Sequence, residues 1–329
     1  MSLAFVFPGQ GSQAVGMGRG FYDASAAAKS LYAEAGEALG FDLARLCFEG
    51  PEAELQLTAN TQPAILTASV AAAAVLADRG LAPAIAAGHS LGEYSALVVA
   101  GALAFADAVR VVRRRGELMQ EAVPVGTGAM AALMGLELAV VEQICRDAAA
   151  GEVVGVANIN SPVQIAIAGH KAAVERAVAL ARERGGKKSV LLPVSAPFHS
   201  PLMLPAAGRL AQELARISVS APKIPVVRNV DAGLTTAAAE VVPFLIRQVA
   251  SPVRWTECVE RMVREGVTTF LEVGPGRVLT GLLKRITEAA RGYAVEDPES
   301  LEKALARMAA EGGMPVSAAG ANAQNGVNG

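Results

Sequence analysis

The chain has 329 residues, 52% hydrophobic and 18% charged, and its 29 basic and 31 acidic side chains leave a net charge of −2. That mass amounts to about two domains with a large buried core, and the near balance of charge provides no basic field to gather nucleic acid or an anionic membrane. Three scattered cysteines, Cys47, Cys145 and Cys258, fit neither a metal spacing nor a disulfide framework. They imply three small buried hydrophobes in a reducing, cytoplasmic setting.

Met1 to Pro8 is apolar but too short for a signal peptide and lacks its charged start. Leu3–Pro8 instead reads as a strand leading into the loop Gly9-Gln10-Gly11-Ser12-Gln13. Helices are expected at Phe21–Leu39 and Gln62–Asp78. The longest uncharged stretch, Leu55 to Ala77, is interrupted by Gln56, Thr58, Asn60, Thr61 and Gln62. A membrane span needs about 20 strongly apolar residues, so a buried helix is the better reading. Ala84–Ala87 follows as a short buried strand, then helices at Glu93–Ala100 and Phe105–Ala122.

The rhythm changes after residue 124. Thr127–Gly135 reads as a strand and Glu137–Ala149 as a helix. Val153–Asn158 and Val163–Gly169 read as strands about a turn at Asn160-Ser161-Pro162. Lys171–Arg184 is a helix and Ser189–Val194 a strand. This βαββαβ order is the split-βαβ pattern of a ferredoxin-like unit. Main-core elements lie on both sides of it, so 125–197 is expected as a domain inserted between 1–124 and 198–311. A helix at Leu202–Ile217, a strand at Ile224–Asn229 and helices near Glu240–Val249 and Trp255–Glu265 come next. Thr268–Val273 is a strand, Val278–Ile286 a helix and Pro298–Glu311 a surface helix. The small, polar run 312–329 is expected to be a disordered tail.

The strongest chemical signal is Gly88-His89-Ser90-Leu91-Gly92, a G-x-S-x-G between a short apolar run and a helix. In that setting the serine stands on a sharp strand-to-helix turn, its Oγ exposed at the helix N-terminus. The backbone N–H of Leu91 is then a candidate oxyanion donor, and the Gln10 N–H, at the end of the first strand, a second. The Gly9–Gln13 loop lacks the lysine of a P-loop and the spacing of a dinucleotide site.

A serine hydroxyl needs a base, and the chain has three histidines. His89 adjoins the serine and points away around the turn. His170 stands where a strand meets a helix in the inserted unit. His199, in Ser195-Ala196-Pro197-Phe198-His199-Ser200-Pro201, lies just past that unit and is the candidate by elimination. No acidic residue is an obvious third member, so a backbone carbonyl is left to hold the imidazole. Arg113-Arg114-Arg115 lies on one helix, where successive residues point about 100° apart, so at most one turns inward. An inward arginine needs a counter-charge, and a substrate carboxylate is the natural one.

Several motifs together resemble the malonyl-CoA:acyl carrier protein transacylase family and the related acyltransferase domains of polyketide synthases. They are FPGQGSQ at Phe7–Gln13, TQPAI at Thr61–Ile65, GHSLGEYSAL at Gly88–Leu97, Arg115-Gly116, NINSPVQ at Asn158–Gln164, SAPFH at Ser195–His199 and EVGPG at Glu272–Gly276. The resemblance, which spans about Met1 to Ile286, implies an α/β-hydrolase-like large domain with the ferredoxin-like small one inserted. It implies Ser90 as the acylated serine, His199 as the base and Arg115 as the clamp on the malonyl carboxylate. Gln10 and Leu91 match the oxyanion donors, and Gln248 the glutamine whose main chain orients the histidine. Phe198 resembles the pattern tied to malonyl over methylmalonyl.

The expected partners are malonyl-CoA and acyl carrier protein, with neither nucleic acid nor membrane, no metal or bound cofactor, and a monomeric enzyme. Three rival readings remain: a serine esterase or thioesterase, which would carry an acid between serine and histidine; an inactive scaffold; and a free-standing acyltransferase serving polyketide synthases.

Overall fold

The computed structural model describes residues 2–194 and 196–311; the expected tail at 312–329 and Ser195 of the SAPFH motif lie outside the described residues. Among the described residues ten strands form two sheets. The larger contains β1 (Ser2–Phe7), β2 (Ile85–Gly88), β7 (Val226–Val227), β8 (Leu234–Thr235), β9 (Val267–Val273) and β10 (Arg291–Val295), in the order β10-β9-β1-β2-β7-β8. The smaller contains β3 (Gly128–Met134), β4 (Val154–Ser161), β5 (Gln164–His170) and β6 (Lys188–Leu191), in the order β4-β5-β3-β6.

In the larger sheet β1 runs parallel to both neighbours, with Phe7 opposite Gly88 on β2 and Val6 opposite Glu272 on β9. Its strands are near-continuous apolar runs because helices cover both faces. The longest of these, Thr58–Asp78, has the length and composition of a membrane span, but 78% of its apolar window is buried inside the protein, as expected of a core helix. Since β1 leads to β2 on one side and lies beside β9 on the other, loops diverge at its carboxyl end. That crevice is where open α/β sheets place ligands.

The smaller sheet is antiparallel, with its two helices, Leu138–Ala149 and Lys171–Glu183, closing an apolar core over Leu133, Ile144, Ile165, Ile167 and Val174. The expected βαββαβ order is observed. The end of β4 also pairs with the chain at Val253, between the helices Ala238–Val249 and Trp255–Arg264: Ile159 N–H donates to Val253 O at 2.8 Å and Val253 N–H to Ala157 O at 2.9 Å.

Several boundaries differ from the expectation. The helix expected at Phe21–Leu39 is two, Arg19–Ala24 and Ala26–Leu39, because Ser25 is extended and its hydroxyl caps the Ala28 N–H. The strand expected at Ile224–Asn229 shrinks to two residues, since Arg228 and Asn229 turn away to make side-chain contacts. The helices Leu43–Glu49 and Glu52–Leu55 and the strands β8 and β10 were not anticipated. They are short or weakly patterned, and pairing with neighbours defines them more than local preference does.

Candidate active site

The turn after β2 is as sharp as its sequence implies. Ser90 sits at φ 51°, in the left-handed region. A Cβ on Gly88 would stand 1.8 Å from the Gly92 carbonyl carbon, and one on Gly92 would stand 2.1 Å from Phe7 O. Both positions therefore exclude any side chain, and the helix Gly92–Val99 starts directly beneath the serine.

Facing it across the crevice is His199, also left-handed at φ 58° and buried. Strained, non-glycine conformations of this kind cost about 1–3 kcal/mol each and persist where the surroundings enforce them. Ser90 Oγ lies 2.7 Å from His199 Nε2, and His199 Nδ1 lies 2.9 Å from the main-chain oxygen of Gln248. A carbonyl only accepts, so Nδ1 carries the proton and Nε2 is left to accept from the hydroxyl. Burial, helped by the nearby Arg115 charge, pushes the imidazole down to about 3. It is thus neutral, and able to take a proton, across the ordinary range.

The arginine triplet divides as expected. Arg113 pairs with Glu117, and Arg114 with Glu117 and Glu213, at the surface. Arg115 turns inward and is only 2% exposed. Its Nη1 donates to Gln62 Oε1 at 2.8 Å, and its Nη2 donates to Gln248 Oε1 at 2.9 Å and Ser90 Oγ at 3.2 Å. Tyr94 presents its ring 5.6 Å from the guanidinium carbon. Among the described residues no carboxylate lies within salt-bridge distance of this buried cation.

Beneath the turn is a polar layer absent from the expected site. Glu93 is 3% exposed, and its Oε2 accepts from the Asn229 N–H at 3.0 Å and from Gln248 Nε2 at 2.8 Å. Asn229 in turn grips the turn at both ends, accepting from Ser90 N–H at 2.7 Å and donating to Gly88 O at 2.8 Å. Gln248 Nε2 also reaches Ser90 O at 2.9 Å. Glu93 was readable as a carboxylate within an apolar helical stretch. Asn229, at the end of a two-residue strand, had no such signal.

Gln10 and Leu91 both line the crevice, as do Phe198 and His199. The main-chain N–H groups of Gln10 and Leu91 donate to no protein group among the described residues, and the Gln10 side chain is held away by Thr58 Oγ1 at 2.8 Å. The cavity measures about 230 Å³ and lies between the two sheets, with Ala132 and Ala166 of the smaller sheet forming its far wall. His89 turns from the serine toward Asn160 Oδ1, 2.8 Å away, and packs near Trp255. His170 precedes the helix Lys171–Glu183 and accepts from Val153 N–H. Cys47, Cys145 and Cys258 are buried free thiols, the last donating to Arg228 O at 3.2 Å, with burial pushing the first two up to about 12. Among the described residues no group of three or more His, Cys, Asp or Glu is gathered for a metal ion.

A serine, a neutral imidazole and unpaired N–H donors in one cavity can perform acyl transfer. The model of the acyl transferase domain matches residues 4–313. The chain belongs to the acyl transferase family. It is 53% identical to the malonyl CoA-acyl carrier protein transacylase of Escherichia coli K12 over 304 residues, covering 92% of this chain and 98% of the relative. Among solved structures, an acyl carrier protein S-malonyltransferase from Vibrio cholerae superposes with TM-score 0.91 at 53% identity, covering 92% of this chain and all of that one. A malonyl-transacylase solved in complex with a type II polyketide synthase acyl carrier protein matches at TM-score 0.91 and 48% identity, covering 93% of this chain and all of that one. The mixed α/β architecture with two sheets is therefore that of a known acyl transferase group. Six of the seven motifs that carried the family resemblance contribute residues to the crevice, and Glu93 belongs to the same motif as Ser90.

Proposed function

We propose that the chain transfers the malonyl group from malonyl-CoA to the phosphopantetheine thiol of acyl carrier protein, through a malonyl ester on Ser90. The observation that carries this is the Ser90–His199–Gln248 chain of hydrogen bonds beside the inward Arg115. His199 Nε2 takes the Ser90 proton as Oγ attacks the thioester carbonyl. The oxyanion rests on the N–H groups of Gln10 and Leu91. The imidazolium then returns its proton to the departing thiolate, and coenzyme A leaves. In the second half the carrier thiol gives its proton to His199 and attacks the ester carbonyl, and Ser90 Oγ leaves with that proton. A thiolate leaving group, with a pKa near about 8.5, needs little help, so a carbonyl behind the imidazole suffices in place of an acid.

Arg115 holds the malonyl carboxylate, and Phe198 walls the acyl pocket toward malonyl. The architecture is read as an α/β-hydrolase-like domain, 1–124 and 198–311, with a ferredoxin-like domain, 125–197, inserted so that the crevice lies between them. The strand order β4-β5-β3-β6 supports the ferredoxin-like reading. A hydrolase has no use for a buried arginine in the acyl cavity, and here the imidazole meets a carbonyl where a hydrolase triad carries an acid.

Incubation with malonyl-CoA, with and without holo acyl carrier protein, tests the transfer. Malonyl carrier protein is expected with the acceptor present, with little free malonate in its absence. Steady malonate release without acceptor would make the protein a hydrolase. The 48% identity to a polyketide-synthase transacylase leaves that pathway as a second reading beside fatty-acid synthesis. Relative turnover on carrier proteins of the two kinds decides between them.

The buried imidazole carries a pH prediction. Inactivation by a small neutral sulfonyl fluoride, which reports the free enzyme's serine and base, is expected to keep its rate as pH falls from 8 to about 5. An ordinary histidine would halve it near 6.5; a midpoint there would show that His199 is not desolvated. The same shift has a stability consequence. The folded value lies below the unfolded one, so His199 withdraws stability as pH drops from about 6.5 toward about 3.

A further inference from the structure

Arg115 is a buried cation in a cavity that is empty for part of every catalytic cycle. An unpaired buried charge is costly, yet among the described residues no carboxylate touches it directly. The negative charge connected to it is Glu93, through one intervening side chain: Arg115 Nη2 donates to Gln248 Oε1 at 2.9 Å, and Gln248 Nε2 donates to Glu93 Oε2 at 2.8 Å. Gln248 is fully buried, so its amide dipole is aligned between the two charges with no water to screen it.

We infer that Glu93 is the resting counter-charge of Arg115 and a specificity-determining positioning residue, whose ionisation sets how strongly the arginine holds the carboxylate of a malonyl group. This rests on the reading of Arg115 as the malonyl clamp. With Glu93 ionised, the guanidinium is partly balanced from within the protein and its attraction for an incoming carboxylate is reduced. With Glu93 protonated, the full charge is available to the substrate. By reciprocity, a malonyl carboxylate arriving at Arg115 favours the protonated form of Glu93, so binding draws in a proton. An acetyl group, lacking the carboxylate, does neither.

The surroundings allow this carboxyl to titrate. Arg115 faces it from the helix Phe105–Glu121, Arg228 from beyond β7, Cys258 from the helix Trp255–Arg264 and Tyr94 from its own helix. Burial holds the thiol and the phenol neutral, so Glu93 is the group among these that changes charge near neutrality. Burial pushes it up to about 7, against the hydrogen bonds from Gln248 and Asn229 that favour the anion. The folded value lies above the unfolded one, so the stability tied to the neutral acid is lost as pH rises through about 7.

The experiment compares kcat/KM for malonyl-CoA and acetyl-CoA between pH 5.5 and 8.5, in the wild type and in Glu93→Gln. The wild-type malonyl-to-acetyl ratio is expected to fall as pH rises through about 7. In Glu93→Gln the ratio should lose that dependence and exceed the wild-type value at pH 8.5 by about fivefold or more, the lower end of what one coupled pair of sites gives. Malonyl and acetyl turnover falling together, with the wild-type pH dependence of the ratio preserved, would reduce Glu93 to a structural support and overturn the inference. Should Glu93→Gln fail to fold, proton uptake decides the matter on the wild type. Calorimetry at pH 7 in buffers of differing ionisation enthalpy should show a fraction of a proton taken up with malonyl-CoA beyond that with acetyl-CoA, and equal uptake overturns it. If the wild type forms no malonyl-serine at all, the transferase reading itself fails, which is a separate result.

Discussion

Ser90→Ala is expected to leave no malonyl adduct on the enzyme and to lower transfer by at least about 10³-fold. Groups that act as one unit in acyl transfer show losses of this size or larger. Ser90 Oγ is held between His199 Nε2 at 2.7 Å and Arg115 Nη2 at 3.2 Å, and among the described residues it is the hydroxyl bonded to that imidazole. His199→Ala should cost a comparable factor, and the double variant little more than either alone, because without the base the hydroxyl is scarcely a nucleophile. Intact mass after mixing with malonyl-CoA reads the first effect, and single-turnover transfer reads the second. A malonyl mass shift that survives in Ser90→Ala would place the acyl group elsewhere and dismantle the mechanism. Multiplicative losses in the double variant would separate the imidazole from the serine.

Arg115→Ala is expected to lower the malonyl-to-acetyl ratio of kcat/KM by at least about tenfold. Hydrogen bonds to a charged group contribute about 1.5–3 kcal/mol, and 1.4 kcal/mol is a factor of ten. Truncation also leaves Gln62 Oε1 and Gln248 Oε1 without their donor, so absolute rates fall for both substrates and the ratio is the quantity that isolates the clamp. Arg115→Lys should recover only part of the ratio, since an ammonium keeps the charge but loses the planar fork that meets a carboxylate with two bonds. Equal losses for malonyl and acetyl would assign Arg115 to the scaffold of the turn.

Much of this site was readable beforehand because it depends on local chemistry. A G-x-S-x-G between an apolar run and a helix admits few structures, since the clashes at Gly88 and Gly92 leave room only for glycine. With three histidines in the chain, two of them placed at a turn and a strand end, His199 followed by elimination. Helical geometry required that at most one arginine of the triplet turn inward, and Arg115 is the one. The boundaries that failed, as at Ser25 and β7, lie where a side chain takes over a backbone bond and periodicity carries no signal.

The sequence by itself determined the alternation of strands and helices, the βαββαβ order of the smaller sheet's elements and the turn bearing Ser90, because each is set by spacing and steric exclusion within a short stretch, and its motifs together carried the family resemblance. Only the tertiary structure decided what joins these parts across long separations. Asn229 meets Ser90 over 139 residues, Gln248 meets Arg115 over 133, and Glu93 is buried where both converge. A hydrogen bond between distant residues leaves no periodic trace in the chain. Its energy depends on burial, and burial is a property of the packed molecule.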